Sequence, residues 1–341
     1  MSSSSSVETS SQQEDDVRTN EELYKNFTNV VSSWPTTPSL TNHPLYRHPN
    51  GWYAPLAPMV STMVSDACFA ARPSDIVVAT APKSGTTWIK AMLYSTVHRR
   101  EHTAGVGSAH LLNSLGPHEC VKFLEYQIYV PNRVPDLDGL PDPRLFATHA
   151  PFVSLPGTVV TSGCKIVYVC RDPKDALVSQ WSFVNKYRAR DGMDALSVET
   201  AAGFFCAGAT LSGPHWDHVL GYWGAHLAHP ERVLFLRYEE MSQDPAACVR
   251  KLAEFVGRPF TMEEEEAGAV DAIVNLCSFN HMTGLDVINV GKTELLLGTV
   301  ENSWFFRRGL VGDWKNHLSP ETAGRIDAIT EARFKGSGLS V

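Results

Sequence analysis

The segment PKSGTTW, residues 82–88, constrains this chain more than any other feature of its sequence. It follows DIVVAT, residues 75–80, a short apolar run rich in β-branched residues that is typical of a buried parallel strand. The residues TTWIKAMLYSTVH, 86–98, then have the character of a helix. A turn from a strand into a helix N-terminus presents unpaired backbone N–H groups, and Gly85 lets an anion approach them closely. The sequence therefore predicts a phosphate-binding strand–loop–helix unit of the P-loop-like kind.

The side chains of this turn fit the same interpretation. Lys83 adds a positive charge, and Ser84, Thr86 and Thr87 add hydroxyl donors. The order differs from a Walker A motif, because the lysine precedes the glycine and neither GKS nor GKT occurs. The alternative is a chance turn with a helix cap at Thr86 or Thr87, but the flanking strand and helix favour the phosphate site.

A second segment, VYVCRDPKDALVS at residues 167–179, predicts another strand, basic turn and helix. The strand is CKIVYVC, residues 164–170, and the helix covers residues 173–186 with Pro173 in its first turn. Two such turns in one chain indicate a site for a nucleotide that carries phosphates at two separate places.

The alternation of strand and helix continues with VLFLRY, residues 233–238, and with helical spacing over residues 244–256. Such alternation predicts a single α/β domain with a central, mostly parallel sheet flanked by helices. Right-handed crossovers then place the strand ends and their loops at one edge. Residues 33–55 show no regular pattern, and residues 277–306 lack a strong helical pattern and are a candidate lid.

Composition limits the partners of the chain. Its 341 residues are 43% hydrophobic, enough for a large core, and a net charge of -8 gives no basic field for nucleic acid or an anionic membrane. The seven cysteines have no paired or zinc-binding spacing, which indicates free thiols in a reducing compartment. No apolar segment is long enough to span a bilayer. We therefore expect no nucleic-acid partner, no membrane, no metal and a cytoplasmic location.

The N-terminus, MSSSSSVETSSQQEDD, has no hydrophobic signal core, and its acidic residues are unlike a transit peptide. We predict a disordered, serine-rich tail over residues 1–20 and one domain over residues 21–341. EELYKNF, residues 21–27, is expected to open that domain with a short helix.

Four segments together resemble the soluble sulfotransferases, which use 3′-phosphoadenosine 5′-phosphosulfate (PAPS). PKSGTTW looks like the 5′-phosphosulfate loop of that family, and CRDPKDALVS, residues 170–179, is similar to its 3′-phosphate site. LRYEEM, residues 236–241, is similar to the adenine-contacting segment, and FFRRGLVGDWK, residues 305–315, resembles the RKGxxGDWK signature. RLFATHAPF and HWDHVLGYW look most like the plant branch. The resemblance implies transfer of a sulfuryl group from PAPS to a hydroxyl of a small-molecule acceptor, with release of adenosine 3′,5′-bisphosphate.

The resemblance also implies a role for each motif residue. Lys83 would contact the bridging oxygen and the 5′-phosphate, Trp88 would stack on the adenine, and Tyr238 would reach it. Arg171 and Ser179 would hold the 3′-phosphate, since arginine pairs well with phosphate oxygens. The implied PAPS-binding set is Lys83, Ser84, Gly85, Thr86, Thr87, Trp88, Arg171, Ser179, Tyr238, Arg307, Arg308 and Gly309. A further nucleotide-contacting stretch of the family corresponds to Cys277, Ser278 and Phe279.

Some of these residues also have plainer interpretations. Trp88 and Tyr238 fit core aromatics, and the basic pair at residues 307–308 fits a solvated surface. Arg171 with Asp172 fits a surface ion pair of little energetic weight. The position of Arg171 at the end of a strand favours the ligand interpretation.

Transfer to a hydroxyl requires a base, and histidine is suited because its ordinary pKa is about 6.5. Of the 13 histidines, His149 follows LFAT, which looks like the end of a strand. The resemblance implies that His149 is the general base and that Lys83 and Ser179 complete the catalytic set. Ser179 would tether Lys83 until an acceptor arrives. His215 and His218 are the next candidates for the base.

The chain departs from the family pattern at two places. Animal members usually carry a lysine two residues before the histidine, where this chain has Ala147, so Lys83 must carry most of the charge stabilisation at the leaving oxygen. The dimer motif of the family, KxxxTVxxxE, would begin at Lys315, and the positions of its threonine, valine and glutamate are here Ser319, Pro320 and Gly324. We therefore expect a monomer, with a weak dimer as the alternative.

Two other classes of function stay open at this point. A P-loop-type phosphoryl transferase, or kinase, would require GKS or GKT and a magnesium-binding carboxylate after a strand, for which Asp172 and Glu239 are candidates. A non-catalytic nucleotide-binding relative would keep the nucleotide site without turnover. The intact Lys83 and His149 argue against that second alternative.

The acceptor is expected to lie against an aromatic, mostly apolar wall. Aromatic residues near the motifs in sequence are the candidates for this wall: Trp52, Tyr53, Phe152, Phe183, His215 and Trp216. Such a wall suits a flat or steroidal hydroxyl compound. Plant members of the family that the chain resembles act on flavonols, brassinosteroids, hydroxyjasmonates and desulfoglucosinolates.

Overall fold

The computed structural model describes residues 5–101 and 110–340, with the side chains of residues 18–101 and 110–340. The strands are β1 (Thr36–Thr37), β2 (Leu45–Arg47), β3 (Tyr53–Ala54), β4 (Ile76–Thr80), β5 (Lys122–Phe123), β6 (Leu145–Thr148), β7 (Lys165–Cys170), β8 (Val233–Arg237), β9 (Lys292–Leu295) and β10 (Gly298–Glu301). The helices are α1 (Ser5–Ser32), α2 (Leu56–Cys68), α3 (Thr86–Val97), α4 (Pro117–Cys120), α5 (Gly157–Thr161), α6 (Pro173–Arg190), α7 (Val198–Cys206), α8 (His215–Ala228), α9 (Tyr238–Gln243), α10 (Pro245–Phe255), α11 (Met262–Glu266), α12 (Ala269–Leu276), α13 (Phe279–Thr283), α14 (Asp286–Asn289) and α15 (Pro320–Phe334). Short single turns lie at Leu111–Asn113, Leu124–Ile128, Phe152–Ser154, Asn302–Phe305 and Asp313–Asn316.

A five-stranded parallel sheet in the order β5-β6-β4-β7-β8 forms the centre of the fold. Strand β4 lies in the middle, where Ile76 pairs with Leu145 on one side and with Lys165 on the other. The predicted strands at residues 75–80, 164–170 and 233–238 are β4, β7 and β8. The predicted fold class, a single α/β domain with a mostly parallel sheet, is therefore confirmed.

Successive residues of each strand point to opposite faces of this sheet. Both faces are apolar, and helices cover both of them. Val77 and Ala79 of β4 belong to a core shared with α2, α6 and α8. Ile76 and Val78 belong to a second core shared with α3, α10 and α12. With both faces buried, loops reach solvent mainly at the strand ends, and the carboxyl edge gathers the loops after β4, β6, β7 and β8.

Two stretches contain more regular structure than their sequence indicates. Residues 33–55 hold a three-stranded antiparallel sheet, β1-β2-β3, in which Tyr46 pairs with Ala54. Residues 277–306 include α13, α14 and the hairpin of β9 and β10. Strands of two to four residues and helices of four or five are too short to leave a periodic pattern. The prediction of irregular structure for residues 33–55 was therefore wrong, and the lid role of residues 277–306 stays a prediction.

The N-terminal division of the chain stays a prediction. Residues 1–4 of the predicted tail lie outside the described residues, and α1 then runs from Ser5 to Ser32 across the proposed boundary at residue 20. Within α1, Tyr24 and Val31 are buried and belong to the hydrophobic core that also contains residues of α2. The helix expected at residues 21–27 is therefore present as part of a longer one.

Candidate active site

A pocket of about 440 Å³ lies at the carboxyl edge of the sheet. It is lined by these residues of the predicted set: Lys83, Gly85, Thr86, Thr87, Trp88, His149, Arg171, Ser179, Tyr238, Arg307, Arg308, Gly309, Cys277, Ser278 and Phe279. Ser84 does not line the pocket; its side chain is buried and its Oγ has no hydrogen-bond partner among the described residues. Four strand ends and two distant segments, residues 277–279 and 307–309, thus bring the predicted residues to one place.

The loop after β4 has the backbone of an anion site. Lys83 and Gly85 both have positive φ, 68° and 101°, so the chain turns sharply into α3. Gly85 is the N-cap of α3 and no side chain caps the helix, which leaves its first N–H groups for a ligand. The hydroxyls of Thr80 and Thr86 are 2.7 Å apart and tie the helix start to the end of β4.

Arg171 lies at the end of β7 and is held in place by the loops around the pocket. Its Nη2 donates to the carbonyl of Leu310 at 2.9 Å, and its guanidinium carbon lies 4.3 Å from the ring centre of Tyr238. Its Nε is buried and has no partner in the described part of the chain. Arg171 does not pair with Asp172, which instead caps α6 by accepting from Lys174 N at 2.7 Å. The surface ion-pair interpretation of Arg171 is therefore wrong.

Asp313, the acid of the GDWK motif, holds both arginines of the segment FFRRGLVGDWK, residues 305–315. Its carboxylate accepts from Arg307 Nη1, and from Arg308 Nη1 at 3.1 Å. Burial alone raises the pKa of Asp313, but hydrogen bonds from Asn316 and Arg307 outweigh it and hold the pKa well below the usual range. The Nε of Arg307 is buried without a partner among the described residues. Arg307 is therefore fixed at the pocket and is not a free solvated side chain, whereas Arg308 is paired with Asp313 but its side chain stays 56% exposed.

Asp175 joins this segment to α6. Its carboxylate accepts from the backbone N–H of Gly312 at 2.6 Å and of Trp314 at 3.0 Å. It also lies 3.8 Å from Arg171 Nη2. Sequence reasoning quoted the motifs that contain Asp175 and Asp313 but gave neither acid a role, because a carboxylate beside arginines reads equally well as a surface ion pair.

His149 follows β6 and has one nitrogen committed to the backbone. Its Nδ1 lies 2.8 Å from the carbonyl oxygen of Thr80, which can only accept, so Nδ1 carries the proton and Nε2 is unprotonated. The pKa of His149 is lowered to about 3, mainly by burial and to a lesser extent by the cations of Lys90 and Lys83. The ring packs 4.6 Å from that of Phe123. His149 is therefore a neutral acceptor that lines the pocket.

Glu125, which sequence reasoning missed, fixes the backbone beneath this histidine. Its Oε1 accepts from the N–H of His149 at 2.6 Å, and its Oε2 is buried without a partner in the described residues. Burial raises the pKa of Glu125 to about 7. The only signal in the sequence is a single acid within the apolar run KFLEYQI, residues 122–128.

Lys83 reaches into the pocket over aromatic rings. Its Nζ lies 3.9 Å from the ring centre of Phe183 and 6.0 Å from that of Phe305. The pKa of Lys83 is lowered to about 7, mainly by burial and to a lesser extent by the nearby cations Lys186, Arg171 and Arg307. Ser179 lines the same pocket one helical turn before Phe183, and its tether to Lys83 stays a prediction.

His218 and His215 are not placed to act as the base, because neither lines the pocket. His218 Nδ1 is 2.9 Å from the hydroxyl of Tyr168, and its Nε2 is 3.1 Å from the carbonyl of His149. His215 is buried with its ring 5.2 Å from that of Phe205. Both histidines are structural, and His218 supports the backbone that carries His149.

The predicted acceptor wall was mostly wrong. Of the six candidates only Phe183 lines the pocket. Trp52 and Trp216 are buried in the core, where their indole N–H groups donate to Ser154 and Thr330 at 2.9 and 2.8 Å. Nearness to a motif along the chain does not fix the direction of a side chain. The side chains that line this part of the pocket are Leu45, His118, Phe123, Tyr126, Tyr187, Leu295, Leu297 and Phe305.

Metal ligands, membrane-spanning helices and the state of the cysteines bear on possible partners. No group of three or more His, Cys, Asp or Glu side chains in residues 18–101 and 110–340 is arranged to hold a metal ion, and the expectation of a metal-free site stays a prediction. Within the described chain, no helix combines the length and apolar character needed to cross a membrane. The cysteines are free, and Cys164, Cys170, Cys248 and Cys277 are buried.

A phosphate loop, three arginines and a buried neutral histidine around one pocket form a site for transferring a group from a phosphate-bearing donor. Comparison with known proteins names the group. A family model described as Sulfotransferase domain matches residues 73–338. Cytosolic sulfotransferase 8 of Arabidopsis thaliana is 42% identical over 314 residues, which cover 92% of each chain. Cytosolic sulfotransferase 16 of the same plant is 44% identical over 275 residues, covering 80% of this chain and 79% of its own.

Solved structures agree. An Arabidopsis thaliana protein described as a candidate steroid sulphotransferase matches with a TM-score of 0.72 and 35% identity, over 92% of this chain and 94% of its own. Mouse sulfotransferase SULT7A1 complexed with PAP matches with a TM-score of 0.64 and 25% identity, over 86% of this chain and 95% of its own. The chain therefore belongs to the sulfotransferase family, among the plant cytosolic members. It is a sulfuryl-transferring enzyme, and neither the kinase nor the non-catalytic alternative is favoured; the names of its relatives agree with the predicted cytoplasmic location.

Proposed function

We propose that this enzyme transfers the sulfuryl group of PAPS to a hydroxyl of a small-molecule acceptor, with His149 as general base. The observation that carries the proposal is the unprotonated His149 Nε2 in the same pocket as Lys83 and the phosphate loop. A base and an anion site that share one pocket of about 440 Å³ can act on two substrates held end to end.

The nucleotide is proposed to lie across the carboxyl edge of the sheet. The loop N–H groups at the start of α3 would bind the 5′-phosphate, and Arg171 with Arg307 and Arg308 would bind the 3′-phosphate. The fit is supported by two buried guanidinium Nε atoms, on Arg171 and Arg307, that have no partner among the described residues. Trp88 and Tyr238, with ring centres 5.5 Å apart, would contact the adenine.

In the proposed transfer step, the sulfuryl group passes from the nucleotide to the acceptor hydroxyl. The acceptor hydroxyl donates its hydrogen bond to His149 Nε2, and its oxygen forms a bond to sulfur as the bond from sulfur to the bridging oxygen breaks. The proton passes to His149, which becomes positively charged, while the loop N–H groups and Lys83 stabilise the negative charge on the departing phosphate. The aromatic wall of Phe123, Tyr126 and Phe183 favours an acceptor with a flat apolar body.

The test is turnover with PAPS and a pooled panel of plant hydroxyl compounds without added metal. Sulfated products are identified by mass and release of adenosine 3′,5′-bisphosphate (PAP) is measured in parallel. We expect product from the wild type, and the panel contains flavonols, brassinosteroids, hydroxyjasmonates and desulfoglucosinolates to identify the acceptor class. Absence of both product and PAP binding would remove the proposal.

We further propose that residues 21–341 form the sulfotransferase domain and that the enzyme is a monomer. Where the dimer motif of the family would lie, Ser319 caps α15 by accepting from Thr322 N, and Pro320 occupies its first turn. These residues suit the start of a helix. Light scattering of the purified protein is expected to give the mass of one chain, 37.5 kDa, and a mass of twice that value would contradict the monomer.

Gly85→Ala is expected to weaken PAP binding by about tenfold or more. A Cβ at this position would lie 2.7 Å from Cδ2 of Tyr238, and the φ of 101° is unfavourable for any residue with a side chain. Calorimetry with PAP measures the effect. Gly324→Ala, in the open middle of α15, is the matched control and should keep wild-type affinity, since nothing lies near its Cβ. Equal affinity of Gly85→Ala and the wild type would contradict this account of the loop.

Glu125→Ala is expected to lower kcat by about ten- to hundredfold and to destabilise the fold by ~1–3 kcal/mol, because it leaves the buried N–H of His149 without an acceptor. Glu125→Gln keeps an acceptor of the same shape and should restore most of both quantities. Steady-state kinetics and urea unfolding measure the two effects. A Glu125→Gln variant as impaired as Glu125→Ala would show that charge, not the hydrogen bond, is the contribution of Glu125.

A further inference from the structure

A buried lysine lies directly behind the phosphate loop. Lys90 is on α3, three residues after Thr87, and its side chain is 0% exposed. In the described residues no carboxylate lies within ion-pair distance of its Nζ; the nearest groups are His118 Nδ1 at 3.2 Å and the ring centre of Phe123 at 3.3 Å. Burying a charged amino group costs free energy, so the contacts of Lys90 indicate a role beyond packing.

His118 continues this contact to the phosphate loop. Its Nε2 is 3.0 Å from the hydroxyl of Thr87, and its ring centre is 4.0 Å from that of Phe305. His118, Thr87 and Phe305 all line the pocket, whereas Lys90 does not. Lys90, His118 and Thr87 therefore form a hydrogen-bonded relay from the protein interior to the anion site.

We propose that Lys90 and His118 are positioning residues that turn the hydroxyl proton of Thr87 toward the phosphosulfate. This proposal rests on the proposed function and adds to it two residues outside the motifs. A lysine ammonium only donates hydrogen bonds, so it requires His118 Nδ1 to accept. The ring proton then lies on Nε2 and is donated to the oxygen of Thr87. The oxygen is thereby occupied, and the Thr87 proton is free to point at an anion in the pocket.

The Phe123 ring favours the charged, donating form of Lys90 and so this direction of the relay, because Lys90 Nζ lies 3.3 Å from the ring centre, where an aromatic face attracts a cation. Burial is the largest effect on the pKa of Lys90 and lowers it well below the usual range, while the carboxylates of Glu125 and Glu119 act in the opposite sense and favour its charged form. Burial is the largest effect on the pKa of His118 and, together with the nearby cations Lys90 and Lys83, keeps it well below its usual value, so this ring is neutral and has one N–H to direct. A bound anion adds to the effect of the two glutamates.

The experiment measures PAP affinity by calorimetry and the kinetics of PAPS turnover for Lys90→Met, His118→Leu, His118→Gln and Thr87→Val. Lys90→Met, His118→Leu and Thr87→Val are each expected to lower kcat/KM for PAPS about tenfold or more, with the acceptor KM unchanged. His118→Gln keeps an N–H donor near the position of Nε2 and should retain most activity. Thr96→Val, which deletes a buried hydroxyl bonded to Met92 O on the same helix, is the matched control and should match the wild type.

Double variants separate a relay from a structural effect. Lys90→Met should add little loss in the Thr87→Val background and little in the His118→Gln background, and its melting temperature should not fall, since a buried charge is removed. Full additivity of Lys90→Met and Thr87→Val would overturn the relay, as would a wild-type kcat/KM in Lys90→Met. A wild type that binds PAP without turnover would remove the proposed function. The coupling between Lys90 and Thr87 would then be measured from the PAP affinities of the single and double variants. A wild type that does not bind PAP would overturn both.

Discussion

His149→Ala is expected to lower kcat by about 10²- to 10⁴-fold while PAP affinity stays close to that of the wild type. The reason is that Nε2 is the unprotonated atom of this ring in the pocket, because Nδ1 donates to the carbonyl of Thr80 at 2.8 Å. The phosphate loop and the arginines are untouched by the change, so binding of the nucleotide should persist. Single-turnover kinetics with PAPS and calorimetry with PAP measure the two quantities.

The pH dependence of this reaction follows from the low pKa of His149, about 3 in the unliganded protein. Below that pKa the ring would be protonated and unable to accept, and above it the ring is a ready acceptor. No loss of activity from His149 is therefore expected between pH 5 and 8. The matched control for His149→Ala is His229→Ala, which changes an exposed histidine 3.5 Å from Glu231 and should leave kcat unchanged. Undiminished product formation by His149→Ala would show that another group is the base.

Lys83→Met is expected to lower kcat/KM for PAPS by about 10²- to 10³-fold, because it removes the cation that we propose stabilises the leaving oxygen. The same lysine should make nucleotide binding depend on pH. The pKa of Lys83 is about 7 in the unliganded protein, lowered by burial and then by Lys186, Arg171 and Arg307. As pH rises through 7 the free enzyme loses this charge, so kcat/KM for PAPS should fall.

Bound phosphates favour the charged form of Lys83 and raise its pKa, so binding PAP at pH 8 should take up protons. Calorimetry in buffers of different ionisation enthalpy measures that uptake, and Lys83→Met should abolish it. Lys186→Met is the matched control: removing this neighbouring cation should raise the pKa of Lys83 and move the fall in kcat/KM to higher pH. The same proton uptake in Lys83→Met as in the wild type would assign the titration to another group.

The sequence predicted the donor half of the site because its signals are local. The phosphate loop is contiguous between β4 and α3, and Arg171 directly follows a strand whose run of apolar residues marks it as buried. Position at a strand end is enough to place such residues at the carboxyl edge of a parallel sheet. Ser84 was the exception in the loop, since its side chain points into the interior.

The acceptor half and the supporting residues could not be predicted in the same way. Glu125 and His118 act through contacts to His149 and Thr87 that are distant in sequence, and no local pattern marks them. The wall was wrong because Trp52 and Trp216 point into the core, although both lie near motifs. Only the packing of separate elements decides which aromatic residues face a cavity.

The carboxylate of Asp313 has a consequence for how fast and how tightly a nucleotide is captured. It restrains Arg307 and Arg308, and Asp175 fastens the same segment to α6 through two backbone N–H groups. Arginine side chains that are already immobile lose little rotational freedom when a phosphate arrives. Arg307 is held by Asp313 once the chain has folded, so the proposed binding of a nucleotide phosphate would exchange its ionic partner without first having to order the side chain.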